Sequence, residues 1–231
     1  MVKPLAVMNW SGGKDSAMAL NRVLAEGVFD VRYLLTTVNS HWQRVSMHGV
    51  RRELLQRQAD AIGIELIEVL LPEMPSMEVY EAEMNGALEF LTKQGVTHSI
   101  FGDIFLADLR EYREAKLKSV GMTAIFPLWE IPTTDLIEEF ISLEFGAVTV
   151  CVEATKLGEE FVGREIDRQF VADLPEAVDV CGENGEYHSF VYNAPFYSAP
   201  VGFETGEKVF REYETNGAVA NQFYYCDLLP K

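Results

Sequence analysis

The chain has 231 residues, enough for one large domain or a core domain with an appendage. Lys and Arg total 19 against 36 Asp and Glu, and the resulting formal charge of −17 opposes non-specific binding to nucleic acid or anionic membranes. Hydrophobic residues make up 48%, ordinary for a packed globule, yet no run approaches a membrane span and the first residues lack an apolar signal segment. Cys151, Cys181 and Cys226 are widely spaced and odd in number, so they form neither a zinc pattern nor a disulfide framework. A cytoplasmic protein with no stable nucleic-acid partner and no membrane association is expected, and a homodimer is allowed.

The first two thirds read as strand–helix repeats. Leu5 to Asn9 is an apolar strand, and Ala17 to Glu26 is its helix. Val31 to Val38 is rich in β-branched residues and predicts a second strand. Val50 to Ile62 has a mixed apolar helical face that includes Leu54, Leu55 and Gln58, and Gly63 ends it. Ile64 to Leu71 predicts strand three. Ser76 to Gln94 predicts a long helix capped by Ser76 and stopped by Gly95. His98 to Gly102, a polar helix over Leu106 to Ser119, and a strand over Thr123 to Pro127 complete the series. The expected fold is α/β, a Rossmann-like, mainly parallel sheet with helices on both faces. A domain over residues 1–131 is expected to be followed by a smaller α+β lobe over residues 132–231. In that lobe Thr133 or Thr134 caps a helix to about Phe145, and Ala147 to Val152 is a strand. Gly158 to Ala172 is helical, and Lys208 to Cys226 is a hairpin around Asn216-Gly217.

Ser11-Gly12-Gly13-Lys14-Asp15-Ser16 sits between the first strand and its helix. The glycines let backbone N–H groups turn inward, the helix start adds unpaired donors, and Lys14 adds a positive charge; together these make a nucleotide-phosphate site. The spacing is neither that of a Walker A loop nor that of a dinucleotide fingerprint. In an open α/β sheet the ligand lies beyond the carboxyl ends of the strands. Two further loops converge there. Residues 39–49, next to Thr37, hold His41, Trp42 and His48 and, with Arg44, Arg51 and Arg52, a basic island suited to nucleobase, triphosphate or substrate contact. The other begins Gly102-Asp103, a strand-end carboxylate where magnesium could bridge ATP phosphates. A fourth segment, Gly182-Glu183-Asn184-Gly185-Glu186-Tyr187-His188-Ser189, concentrates more polar chemistry than a hairpin turn requires. It is expected to hang on two apolar strands, Val178–Cys181 and Phe190–Tyr192. Glu186 and His188 would share one face of an extended chain, where they could orient or deprotonate an ammonium ion.

Ser11 to Ser16 resembles the signature of the PP-loop ATP pyrophosphatases, which split ATP between its α and β phosphates and adenylate a carboxyl or carbonyl oxygen. Within that superfamily the chain resembles the diphthine–ammonia ligase family. The matching segments are the phosphate loop, Met47-His48, Phe101-Gly102-Asp103-Ile104, Tyr112-Arg113-Glu114, Phe126-Pro127-Leu128-Trp129, Val162-Gly163-Arg164 and the 182–188 block. The chain has Asn184 where the family usually has Gly, Phe161-Val162 where it usually has Trp-Leu, and an apolar and acidic Phe105 to Leu109 where aromatic and basic residues are common.

The resemblance implies a PP-loop/HUP-type fold and an ATP-dependent ligase that adenylates a carboxylate, transfers ammonia and releases AMP and pyrophosphate. Ser11, Gly12, Gly13, Lys14, Asp15 and Ser16 would hold the phosphates, with Thr37, His48, Gly102 and Asp103 completing the nucleotide site. Asp15 or Asp103 would favour Mg2+. Glu183, Glu186 and His188 would border the acceptor and, with Lys14 and Asp15, carry the chemistry. The acceptor is either a diphthine-bearing elongation factor or a small-molecule carboxylate, with ammonium as the nitrogen source. A nucleotide-binding module without turnover is the non-enzymatic alternative.

Overall fold

The apolar strands of the first half pair in parallel around the first of them. In a computed structural model, which describes residues 2–46, 48–215 and 218–231, β1 (Leu5–Asn9) lies between β2 (Asp30–Asn39) and β5 (Val96–Ile100). β4 (Glu65–Leu71) extends the sheet beyond β2, and β6 (Thr123–Ile125) beyond β5. A two-residue strand, β3 (Arg44–Val45), pairs antiparallel with the end of β2 inside the segment read from sequence as a plain loop. Strand order therefore reverses on either side of β1, and a crevice opens at the carboxyl ends of β1 and β5.

Alternation along β1 feeds two cores. Ala6 and Met8 pack with α1 (Lys14–Glu26), α2 (Arg52–Ile62) and α5 (Thr133–Ser142) on one face, through Leu20, Leu54, Leu55 and Phe140. Val7 packs with α3 (Met77–Lys93) and α4 (Ala107–Ser119) on the other, through Leu88, Leu91 and Leu117. Burial on both faces is what a central parallel strand requires. The Ser76 side chain accepts from the Val79 amide at 3.3 Å and caps α3 as read from sequence, a contact worth about 1 kcal/mol.

The second half forms an antiparallel sheet ordered β8-β7-β10-β9, from β7 (Gly146–Glu153), β8 (Tyr187–Asn193), β9 (Phe203–Thr215) and β10 (Ala218–Pro230). Its inner residues Val148, Val150, Phe190 and Val191 join the core that contains Met8 and Leu20, so hydrophobic packing is continuous across both sheets. The hairpin strands are longer than the sequence suggests, and Asn216-Gly217 lies outside the described residues.

Four local expectations are corrected. Residues 158–172 are not one helix: a 3-10 turn, Glu159–Phe161, is followed by Gly163 at φ +80, and Asp167 caps a new helix, α6 (Arg168–Asp173), by accepting from the Phe170 amide at 2.7 Å. Thr149, fully buried in β7, donates its hydroxyl to Phe161 O at 2.6 Å and fixes that break. α5 ends at Ser142, where Glu144 turns left-handed, and its first-turn Thr133 donates its hydroxyl to Asp179 rather than capping the helix. Val178 to Cys181 is a turn, not a strand. α1 begins at Lys14, which draws the lysine into the helix N-terminus.

Candidate active site

The Ser11–Ser16 loop, the candidate phosphate site, is held from three sides. Gly12 has φ +79, and a Cβ there would lie 2.6 Å from Gln58 Oε1. Both serine hydroxyls brace the loop: Ser16 Oγ donates to Gly13 O at 2.9 Å, and Ser11 Oγ lies 3.2 Å from Ser16 Oγ. From the second sheet, Ser189 Oγ accepts from the Lys14 amide at 3.1 Å, and the Val191 amide donates to Gly12 O at 2.8 Å. From β5, Gly102 abuts the start of α1 so closely that a Cβ would stand 2.7 Å from Asp15 C and 2.9 Å from Ser16 N.

Lys14 is buried, its Nζ 2.6 Å from Asp15 Oδ1 and 5.4 Å from the centre of the Tyr187 ring. Burial by itself would lower its pKa, but the Asp15 charge and hydrogen bond hold the ammonium above the usual lysine range. The cation is therefore permanent.

Asp103, at the end of the β5 segment, is nearly buried and pairs with Arg113 through Oδ1 at 3.1 Å, while its Oδ2 is buried without a partner. Burial raises its pKa, and Arg113 only partly offsets that. Glu183 reaches the same edge, where its Oε1 accepts from the Ile104 amide at 2.8 Å. Burial, opposed by that amide and reinforced by the Asp15 charge, pushes Glu183 up to about 7. Asp15 in the first turn of α1, Asp103 after β5 and Glu183 in the 182–188 block thus interact around Lys14.

His48 and His188 lie against each other as tilted rings, centroids 4.5 Å apart and planes at 36°, with His48 beside Gly13. Burial first, then His188 and Lys14, pushes His48 down to about 3; burial and Lys14 push His188 down to about 4. Both rings are neutral at pH 7, and His48 Nδ1 is buried without a partner.

Glu186 is fully buried but is not hydrogen-bonded to His188: its Oε1 accepts from the Asp179 amide and from Asn184 Nδ2, so it braces the 179–186 turn. Thr37 lies at the end of β2, half-buried, where its carbonyl accepts from the Ser46 amide. Trp42 and His41 are exposed, with the Trp42 indole donating to Glu73. The basic island is internally neutralised: Arg44 and Arg51 both bind Asp227, holding its carboxyl down to about 2 despite burial, and Arg52 binds Glu68. All three cysteines are free and buried, and burial pushes the Cys151 and Cys181 thiols up to about 12, so neither is a ready nucleophile. Sequence reasoning missed the part played by Gln58 and gave Ser189 no role beyond membership of the 182–189 segment; both reach the loop from distant parts of the chain.

Among the described residues no helix is long and apolar enough to cross a membrane. Comparison with known proteins agrees with this architecture. Residues 4–124 match the family model of the diphthamide synthase N-terminal domain, and residues 132–222 that of the diphthamide synthase C-terminal domain. Relatives named diphthine–ammonia ligase in Rattus norvegicus, Homo sapiens and Bos taurus are each 24% identical over 234 residues, spanning 91% of this chain and 86% of the relative. With both halves matched in order, the chain belongs to the diphthamide synthase family of ligase-type enzymes.

Proposed function

We propose that the protein is an ATP-dependent carboxylate–ammonia ligase. An acceptor carboxylate oxygen attacks the α-phosphorus of ATP and pyrophosphate leaves. Ammonia then attacks the resulting acyl carbon, the amide forms and AMP leaves. The observation that carries this reading is the pair of buried, unpartnered polar atoms beside the phosphate loop, His48 Nδ1 and Asp103 Oδ2. Native proteins rarely leave such atoms unsatisfied, and a polar ligand would complete both.

Residues 1–131 would carry the nucleotide and residues 132–231 would border the acceptor. Ser11 to Ser16 and the N-terminus of α1 would hold the phosphates, with Thr37, His48 and Gly102 lining the nucleotide. Lys14 would stabilise charge on the separating phosphates, because its ammonium is fixed in a site with little water to screen it. Among the described residues no three His, Cys, Asp or Glu form a ready-made metal cage. That suits Mg2+, which one or two carboxylates share with substrate phosphates; Asp15 and Asp103 would hold it, and it would neutralise the leaving pyrophosphate. Glu183, poised near neutrality, is suited to take the proton lost as ammonium becomes a nucleophile. His188 would orient the nitrogen as a neutral acceptor, and Glu186 would keep the turn in shape. Free, buried thiols fit the reducing cytoplasm.

The acceptor we propose is diphthine on an elongation factor, by analogy with the named relatives. The test is to incubate pure enzyme with ATP labelled at the α-phosphate, Mg2+, ammonium and diphthine-bearing factor. Labelled AMP and a factor lighter by about 1 Da, from replacement of OH by NH2, are expected. Labelled ADP alone would overturn the reaction class. Pyrophosphate release stimulated by a small carboxylate, with no change in the factor, would replace the acceptor.

A further inference from the structure

Gln58 is fully buried on α2, far in sequence from the residues it binds. Its Oε1 accepts from the Trp10 indole at 3.0 Å, and its Nε2 donates to Gly12 O at 3.0 Å and to Val191 O at 2.6 Å. The orientation of the amide is forced. An indole N–H can only donate and two carbonyls can only accept, so oxygen must face Trp10 and nitrogen must face the carbonyls. One side chain thus ties the end of β1, the left-handed turn of the phosphate loop and β8 of the second sheet.

We propose that Gln58 is the positioning residue that holds the phosphate loop in its nucleotide-accepting shape and locks it to the acceptor-bordering sheet. The inference rests on the loop's being the ATP site. Gly12 occupies a backbone conformation that returns to others easily once released. Two of the polar contacts on Gly12 O are Gln58 and the Val191 amide, and Gln58 also fixes the position of Val191. Loss of the amide would take one donor from each carbonyl, leaving Gly12 O only the Val191 amide and Val191 O only the Tyr197 hydroxyl at 3.3 Å, and would free the turn to shift.

Two variants test the proposal. Gln58→Met conserves volume and removes every hydrogen bond; Gln58→Glu conserves shape and can donate only when protonated. Calorimetry with Mg-ATP, well below the melting temperatures, should show Q58M binding at least tenfold more weakly than the native protein. Hydrogen exchange should accelerate at residues 11–16 with no matching change in α3. For Q58E, affinity relative to the native protein at the same pH should recover as pH falls and the acid regains one donor. The groups facing residue 58 are Trp10, Gly12, Leu55, Val191 and Tyr197, none of which titrates between pH 5 and 8. A purely structural role would lower the melting temperature and give no such pH profile. Folded Q58M with native ATP affinity, alongside a Lys14→Ala variant that has lost it, would overturn the proposal. If the native protein binds no ATP, the site reading falls instead, and unchanged loop exchange in Q58M would overturn the positioning role independently. If Q58M does not fold, the Q58E profile decides: recovery supports the role and a flat profile overturns it.

Discussion

Glu183 Oε1 accepts a hydrogen bond from the Ile104 amide at 2.8 Å, which joins the 182–188 block to the strand end that carries Asp103. This carboxyl has a folded pKa of about 7 against an ordinary 4.5, so its neutral form is favoured by the fold. The associated stability is fully present below about pH 4.5 and is lost as pH rises through 7. Glu183→Gln, which is always neutral and keeps the acceptor oxygen, should be more stable than the native protein at pH 8. The shift sets a ceiling of about 3 kcal/mol, and solvent screening of a partly exposed group reduces it to on the order of 1–2 kcal/mol. The advantage should vanish by about pH 4.5. Denaturant melts at pH 8 and pH 4.5 read it directly, and amide formation by the variant should fall at the same time.

The paired His48 and His188 rings act in the opposite direction. Their folded pKa values of about 3 and about 4 mean that unfolding takes up protons as pH falls below the ordinary value of 6.5. Stability is therefore lost between about pH 6.5 and pH 4, by about 1.4 kcal/mol per pH unit for each imidazole fully charged on unfolding. Replacing His188 with Gln should flatten the pH dependence of the unfolding free energy between pH 4.5 and 6 by about one proton. An unchanged slope would show that His188 is already protonated in the folded protein.

Lys14 should govern affinity rather than folding. Its ammonium is buried against Asp15 and Tyr187 and stays charged at any working pH. Lys14→Ala removes charge-assisted contacts to phosphate and should weaken ATP binding by roughly tenfold or more in calorimetry. Unchanged affinity would remove Lys14 from the phosphate site.

What the sequence discloses follows the range of each interaction. The strand–turn–helix around residues 11–16 is legible because strand, glycine pair, lysine and helix are contiguous, and Ser76 is legible because its partner is three residues away. The parallel sheet is legible from strand–helix alternation. Gln58 is not: in the helical pattern it is one more polar residue, and only the folded chain brings Gly12 and Val191 to it. The pairing of Arg44 and Arg51 with Asp227 is hidden for the same reason, and the basic island reads as free charge until β10 returns beside it. The broken helix at 158–172 is different, because Gly163 and the capping Asp167 are local signals that outweigh the apolar spacing.

Gly102 gives the sharpest steric test of the crevice. A Cβ at this position would lie 2.7 Å from Asp15 C, 2.9 Å from Asp15 O and 2.9 Å from Ser16 N. These are backbone atoms in the first turn of a buried helix, so they cannot swing aside as a flexible side chain would. Gly102→Ala must push the end of β5 away from α1, at a cost of about 1–3 kcal/mol. The same displacement moves Asp103 and the Ile104 amide, and with them Glu183, away from the phosphate loop. A misplacement of about 1 Å at a reacting site can cost about 10²-fold in rate. The variant should therefore melt lower, retain most of its ATP affinity because Lys14 and the loop glycines remain, and lose most of its pyrophosphate release. Melting curves, calorimetry and a pyrophosphate assay on one preparation separate these effects. A G102A protein with native stability and native turnover would show that β5 and α1 are not in tight contact at the site.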